Sequence, residues 1–336
     1  MASACIFGCA GPQLSRDERA LFAQTDPFGL ILFARNVESP EQVRALVREF
    51  RAVVGRTNAP VLIDQEGGRV QRLAPPQWPD FPPAAKFGAL HARDPALGVE
   101  AARLGAQLIG AELAALGINV DCLPVADLRL PEGHDVIGDR AYGRDPAQVA
   151  ELAGAAADGL MAAGVLPVVK HVPGHGRARS DSHEALPVVD APLAELDRTD
   201  FAPFRRLAGL PVAMSAHVIY AAVDPERPAT VSPVVVAQII RTRIGFDGLL
   251  LTDDLSMKAL SGSLAERAER ALAAGCDVAL HCNGRLREMR EVAAVVPELA
   301  GAAARRAAAA LGRLEAPVES LNVAEAQARF SSMIAA

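Results

Sequence analysis

Aromatic residues are scarce in this 336-residue chain, at 4%, with one tryptophan and two tyrosines among them. A basic excess is absent too: 34 lysines and arginines face 40 acidic residues, for a net charge of −6. Nothing in that balance would attract a phosphate backbone, which argues against nucleic acid as a partner. The five cysteines, Cys5, Cys9, Cys122, Cys276 and Cys282, are odd in number and contain no CxxC pair. Free buried thiols in a reducing compartment are therefore expected, and a zinc-thiolate site is not. No run reaches about 18 uncharged apolar residues, so no membrane span is expected. The stretch Met1 to Ser15 lacks the basic start of a secretory leader, and a soluble, cytoplasmic protein follows as the expectation. What the chain has in plenty is aliphatic: 51% of residues are hydrophobic and 22% charged, the profile of a globular protein with a large core.

Short aliphatic runs recur along the whole chain, near 4–8, 29–34, 60–64, 119–124, 166–170, 211–217, 248–253 and 277–282. The run Gly248-Leu249-Leu250-Leu251-Thr252 has no polar alternation, as suits a strand buried on both faces. Helical patterns separate the runs. Ser39-Pro40-Glu41-Gln42 reads as an N-cap, a proline in the first turn and a capping-box glutamine. Val43, Leu46, Val47, Phe50 and Val54 follow at spacings of three and four until Gly55. Asp145-Pro146 and Ser232-Pro233 repeat that opening, and Ser263 to Glu266 is another capping box. The stretch 97–116 sets Ala101, Leu104, Leu108, Ala111 and Ala115 on one face before Gly117.

Eight strands alternating with helices predict an α/β fold with right-handed crossovers, closed into a single-domain (β/α)₈ TIM-type barrel spanning residues 1–336. An open doubly wound sheet would show a glycine-rich phosphate turn early on, and Gly8-Cys9-Ala10-Gly11 is a poor match. The Ala-rich stretch 287–334 is expected to form extra C-terminal helices outside the barrel. Two connections, 65–96 and 171–192, exceed the usual βα length of about 2–6 residues and belong on the catalytic face of a barrel.

Polar residues stand at the C-terminal ends of six successive strands: Asp64, Asp127, Lys170-His171, Ser215 to His217, Asp253-Asp254 and His281. One such residue means little, but six converging ends point to a site. Asp181 and His183 are two apart, so an extended segment puts them on one side, with the carboxylate fixing the imidazole tautomer. That pair serves a general acid/base; it serves a loop-stapling hydrogen bond as well. Asp253 ends a buried strand and needs partners, for which Lys170, Arg72 and Arg140 are candidates. An ionised carboxylate there suits nucleophilic attack on carbon, with Asp254 the competing candidate on the opposite side of the strand. In Asp64 to Arg72, Asp64 and Arg72 suit a polyhydroxylated ligand, and Glu66 suits a surface ion pair with Arg69 or Arg72.

The chain resembles bacterial glycoside hydrolases of family 3, and among them the cytoplasmic β-N-acetylglucosaminidases of cell-wall recycling. The resemblance rests on GLILFARN at 29–36, DQEGGRVQR at 64–72, IGDRAYGRDP at 137–146, KHVPGHG at 170–176, DSH at 181–183, AHVIY at 216–220 and GFDGLLLTDDLSM at 245–257. It covers roughly residues 25–285, with Val172 standing where the subgroup usually has phenylalanine. It implies the barrel, Asp253 rather than Asp254 as nucleophile, and His183 as acid/base with Asp181 as its dyad partner. It further implies sugar binding by Asp64, Arg72, Arg140, Lys170 and His171, and His217 is counted with them. Larger members take a carboxylic acid/base from a second domain; with none in this sequence, the donor is expected from the barrel loops.

The implied reaction is retaining hydrolysis of terminal β-linked N-acetylglucosamine from a GlcNAc-1,6-anhydromuramoyl saccharide, with or without peptide, by a monomer with no cofactor and no metal. The low aromatic content agrees, since only Trp78, Tyr142 and Tyr220 offer polar-tipped platforms beside the phenylalanines and a polymer groove needs stacking surfaces. Rival readings are a family 3 β-glycosidase of other specificity, a phosphorolytic enzyme using phosphate as acceptor, a hydrolase with a metal on His171, His175 and His183, and a saccharide sensor without turnover.

Overall fold

The computed structural model of the chain describes residues 2–335. Eight parallel strands close on themselves: β1 (Ser3–Gly8), β2 (Pro27–Leu32), β3 (Val61–Ile63), β4 (Val120–Asp121), β5 (Leu166–Val172), β6 (Val212–Ser215), β7 (Leu249–Asp254) and β8 (Val278–His281). Spatial order follows chain order, and β8 pairs back onto β1 through Cys5 with Ala279 and Phe7 with His281. Each strand falls on one of the aliphatic runs. β4 is shorter than the run suggested, because its bonding to β5 skips residues after Asp121: Leu166 N–H bonds to the Asn119 carbonyl, and Val168 N–H to that of Leu123.

Period-two alternation divides the apolar residues between two cores. Ile6, Leu62, Val168, Met214, Leu251 and Leu280 fill the barrel interior. Their neighbours Phe7, Ile63, Val169, Ala213, Leu250 and Ala279 face the surrounding helices. The five cysteines are buried free thiols. The helix Gly301–Gly312 is less peripheral than its place in the sequence suggests. Ala307 and Ala310 join the interior cluster at the N-terminal end of the barrel beside Ile6, Phe28 and Leu166. Small side chains let that helix approach the strand ends. The last helix, Val323–Ala335, brings Phe330 to 6.2 Å from both Phe81 and Phe87. Phe330 lies over Gly105, where a Cβ would stand 2.8 Å from the ring.

Most helix starts form as the sequence suggests. Ser39, Asp145 and Ser263 each accept backbone N–H groups of the first turn, and the Ser263–Glu266 box is reciprocal. Gln42 departs from expectation. Its side-chain oxygen accepts from Glu38 N–H, one residue before the cap, so no reciprocal box forms with Ser39. Ser232 Oγ accepts from Val235 N–H as expected, but Val235–Ile244 winds as a π-helix. In the helix Pro95–Leu116, Ala101, Leu104 and Leu108 are buried but Ala115 is exposed. The buried stripe ends instead on Leu113 and Leu116, because a 3.6-residue period drifts over six turns.

The two long connections stand above the C-terminal ends of the strands. The first contains the hairpin Gln65–Gly67 with Val70–Gln71, then the helix Ala84–Arg93. The second ends where Val188–Val189 pairs with Ile219–Tyr220. Strand register breaks at two of those ends. One extra residue enters β5 between Lys170 and Val172, and another enters β7 between Leu251 and Asp254. Bulges of this kind re-aim side chains, and these two carry His171 and Asp253.

Candidate active site at the C-terminal end of the barrel

A cavity of about 170 Å³ opens at that end. Asp64, Arg72, Arg140, Lys170, His171, His183, Asp253 and Asp254 border it, with Phe33, Val70, Met214 and Leu280 supplying apolar wall. Six strand ends and both long connections therefore meet at one opening.

One wall is a buried ion network. Lys170 Nζ lies 2.9 Å from Asp64 and 2.7 Å from Glu66. Arg140 grips both oxygens of Glu66 at 2.9 and 2.8 Å, and Arg72 holds the second oxygen of Asp64 at 3.0 Å. Burial alone would raise both carboxylates. Lys170 and Arg72 overcome it at Asp64, which lies far below the usual range. Arg140 and Lys170 hold Glu66 down at about 2. Lys170 is raised in turn by its two carboxylates, against the downward push of burial. Fixed acceptors and donors of this kind suit a ring of sugar hydroxyls. The Glu66 pairing differs from expectation: it is buried, and its partners are Arg140 and Lys170. Arg69 pairs with Asp139 instead.

Asp253 stands apart from that network. None of Lys170, Arg72 and Arg140 pairs with it, because Asp64 and Glu66 have claimed all three. Burial pushes Asp253 up, but the imidazoles of His171 and His217 and the Asp254 N–H hold it below an ordinary aspartate. An ionised carboxylate that borders a cavity without a strong cation partner remains nucleophilic. The β7 bulge cancels strict alternation, so Asp254 also borders the cavity. Its oxygens are occupied all the same: one accepts from Ser256 and Cys282 N–H groups, the other from Ser256 Oγ–H.

Asp127, fully buried, organises the histidines. Oδ2 accepts Nδ1–H of His171 at 2.6 Å, and Oδ1 accepts His175 N–H at 2.6 Å. The His171 tautomer is thereby set, leaving Nε2 for the cavity. His217 has no such freedom. Nε2–H donates to the Asp254 carbonyl and Nδ1 lies 2.8 Å from the Thr230 hydroxyl, while burial lowers its pKa.

The acid/base candidate arrives from the second long connection. His183 Nδ1 lies 2.8 Å from Asp181 Oδ1, and the same oxygen accepts His183 N–H at 2.9 Å. The pair forms across a turn rather than an extended segment. Burial would raise Asp181, but the His183 N–H and ring outweigh it and leave the carboxylate low. Nε2 of His183 is thus the free nitrogen of an exposed ring at the cavity edge.

With this geometry in hand, known proteins supply the frame. Residues 6–314 match the glycosyl hydrolase family 3 N-terminal domain. The chain belongs to glycosyl hydrolase family 3. A β-hexosaminidase of Nitrosomonas eutropha is 41% identical over 280 residues, covering 82% of this chain and 79% of that protein. Another from Pseudomonas aeruginosa PAO1 is 42% identical over 288 residues, covering 85% and 84%. The crystal structure of NagZ from Neisseria gonorrhoeae with N-trifluoroacetyl-D-glucosamine superposes with a TM-score of 0.88 at 32% identity, covering 100% and 99%.

For this family 3 glycoside hydrolase, eight of the nine site residues expected from sequence meet at or beside one cavity: Asp64, Arg72, Arg140, Lys170, His171, Asp181, His183 and Asp253. His217 is the exception. It does not border the cavity, and both ring nitrogens are engaged by protein, so it supports the Asp253-Asp254 backbone from beneath. Trp78, Tyr142 and Tyr220 are buried and form no platform; Phe33 is the aromatic residue of the wall. Sequence reasoning missed the role of Glu66, although its spacing of two from Asp64 was a usable signal. It also left Asp127 without a task. Among the described residues, no cluster of three or more His, Cys, Asp or Glu is arranged to hold a metal ion.

Proposed function

We propose that this glycoside hydrolase, of the β-N-acetylhexosaminidase type, is a retaining exo-β-N-acetylglucosaminidase. Asp253 is the nucleophile. It attacks the anomeric carbon while Nε2–H of His183 protonates the departing glycosidic oxygen. The glycosyl-enzyme forms on Asp253, and neutral His183 then takes a proton from the attacking water. Asp181 holds the imidazole by Nδ1–H and balances its charge while Nε2 is protonated, before the first step and after the second. Asp64, Arg72, Arg140, Lys170 and His171 bind the sugar. The observation that supports this reading best is the meeting of an ionised Asp253, paired with no lysine or arginine, with the Asp181–His183 pair at one small cavity. A histidine acid departs from the two-carboxylate pattern of retaining enzymes, so the rule of about 5–5.5 Å between carboxyl groups does not apply.

The cavity of about 170 Å³ suits a single sugar, and the leaving group would sit at the edge where His183 is exposed. A terminal GlcNAc on a 1,6-anhydromuramoyl unit, with or without peptide, is the substrate we assign, which places the enzyme in peptidoglycan recycling in the cytoplasm. Barrel and C-terminal helices act as one catalytic unit, as a monomer. Among the described residues no helix is long and apolar enough to cross a membrane. The decisive experiment compares nitrophenol release from aryl β-N-acetylglucosaminide and aryl β-glucoside, with Asp253→Ala as control. Preference for the acetamido sugar, lost in the variant, is expected. Turnover of the glucoside alone overturns the substrate, and full activity in Asp253→Ala overturns the nucleophile.

A further inference from the structure

Ser182 lies between the two members of the acid/base pair and faces the opposite way. It is 3% exposed, whereas the His183 side chain is 65% exposed. Its hydroxyl stands 3.1 Å from Nε2 of His175, and its carbonyl accepts the N–H of Ala259 at 3.2 Å. Those contacts tie the turn to the loop after β5 on one side and to the loop after β7, the strand of Asp253, on the other.

His175 itself is 2% exposed, and its Nδ1 is buried without a hydrogen-bond partner. An orphaned N–H costs more than a bare ring nitrogen, so the proton sits on Nε2 and is donated to Ser182 Oγ. Burial and the neighbouring His171 keep the ring neutral, with a pKa near 4. An aliphatic side chain would fill the same space without a buried polar nitrogen. What the imidazole adds is the bond to Ser182. The backbone N–H of His175 is locked to Asp127, whose other oxygen orients His171, and the two rings meet edge to face at 5.7 Å. One buried chain of contacts therefore runs from the sugar-facing His171 to the turn that presents His183.

We infer that His175 is a positioning residue: it latches the Asp181-Ser182-His183 turn to the barrel and so sets where the acid/base stands over the cavity. The inference rests on the reading of His183 as acid/base. Its role is felt where proton donation matters and not where it does not. In His175→Leu and Ser182→Ala, kcat/KM on the phenyl β-N-acetylglucosaminide, a poor leaving group, falls about tenfold, while kcat/KM on the 2,4-dinitrophenyl glycoside, whose departure needs no proton, stays within about twofold. The double variant is no worse than either single one, since both remove the same bond. His175→Gln, whose amide nitrogen occupies the place of Nε2, restores most of the lost rate. Amide hydrogen exchange over residues 181–185 is faster in both single variants than in the parent.

Unchanged exchange there in both variants overturns the latch. So does an equal loss of kcat/KM on both glycosides in variants that keep the parent melting temperature. Ser182→Ala guards against a folding defect, because it cuts the bond from the loop side and leaves the barrel untouched. His183→Ala separates the two readings. An equal loss of kcat/KM on both glycosides in that variant removes His183 from the acid role, and the latch then stands or falls on the exchange data.

Discussion

Lys170 is the point at which the sugar-binding wall is most vulnerable. Its Nζ is shared between Asp64 and Glu66, and its side chain is 3% exposed. Lys170→Met keeps the length and apolar stem but strands two buried carboxylates, each left with one arginine. For Glu66, the fall from an ordinary 4.5 to about 2 corresponds to about 3 kcal/mol, shared between Arg140 and Lys170. Adding the loss at Asp64 brings the expected cost into the range of about 3–5 kcal/mol seen when one partner of a buried pair is removed. At about 2.1 cal/mol/K of unfolding entropy per residue, a chain this long loses about 4–7 °C of melting temperature.

The loss depends on pH with a definite sign. Glu66 and Asp64 have folded pKa values below their unfolded ones. Their contribution is complete above the unfolded carboxylate range and fades as pH falls toward about 2 at Glu66. The gap between parent and Lys170→Met is therefore largest at pH 7 and shrinks at pH 4 and below. Scanning calorimetry at both pH values measures it, with Lys86→Met, at an exposed lysine, as control. A drop under about 1 °C, or one equal at both pH values, refutes the reasoning.

Other outcomes follow from the same geometry. Asp253→Asn abolishes turnover of any glycoside, whereas Asp254→Asn loses stability and keeps measurable kcat, a split read by activity and melting on the same samples. Asp127→Asn sets an amide N–H against Nδ1–H of His171 and forces the other tautomer; we expect a loss in kcat/KM of about a hundredfold with a folded barrel, read by kinetics and circular dichroism. Gly105→Ala drives a Cβ into the Phe330 ring and costs about 1–3 kcal/mol by denaturant titration, relieved when combined with Phe330→Leu.

Fold and chemistry were unequally legible in the chain. Aliphatic runs separated by capped helices specify eight βα units locally, because strand and helix periods and the Ser39, Asp145 and Ser263 caps are written within a few residues of each other. Polar residues at strand ends could be located on the same grounds, since parallel strands have only one catalytic end. Which of them touch is a long-range matter. Arg140 reaches Glu66 across 74 residues and Lys170 reaches Asp64 across 106. Sequence proximity therefore misassigned Glu66 to Arg69 or Arg72 and offered Asp253 cations that were already engaged.

Three decisions belong to tertiary structure alone. Extra residues in β5 and β7 broke the two-residue alternation that placed Asp253 and Asp254 on opposite sides. Packing beneath the barrel rim closed His217 off, although it stands at a strand end like the others. The folded surroundings set protonation states: Arg140 and Lys170 hold Glu66 low against burial, and burial beside His171 keeps His175 neutral. Local pattern determines which elements form and in what order, because their backbone preferences and apolar faces act over a few residues. Pairing, exposure and charge state depend on which groups meet once water is excluded, and that is decided only when the barrel closes.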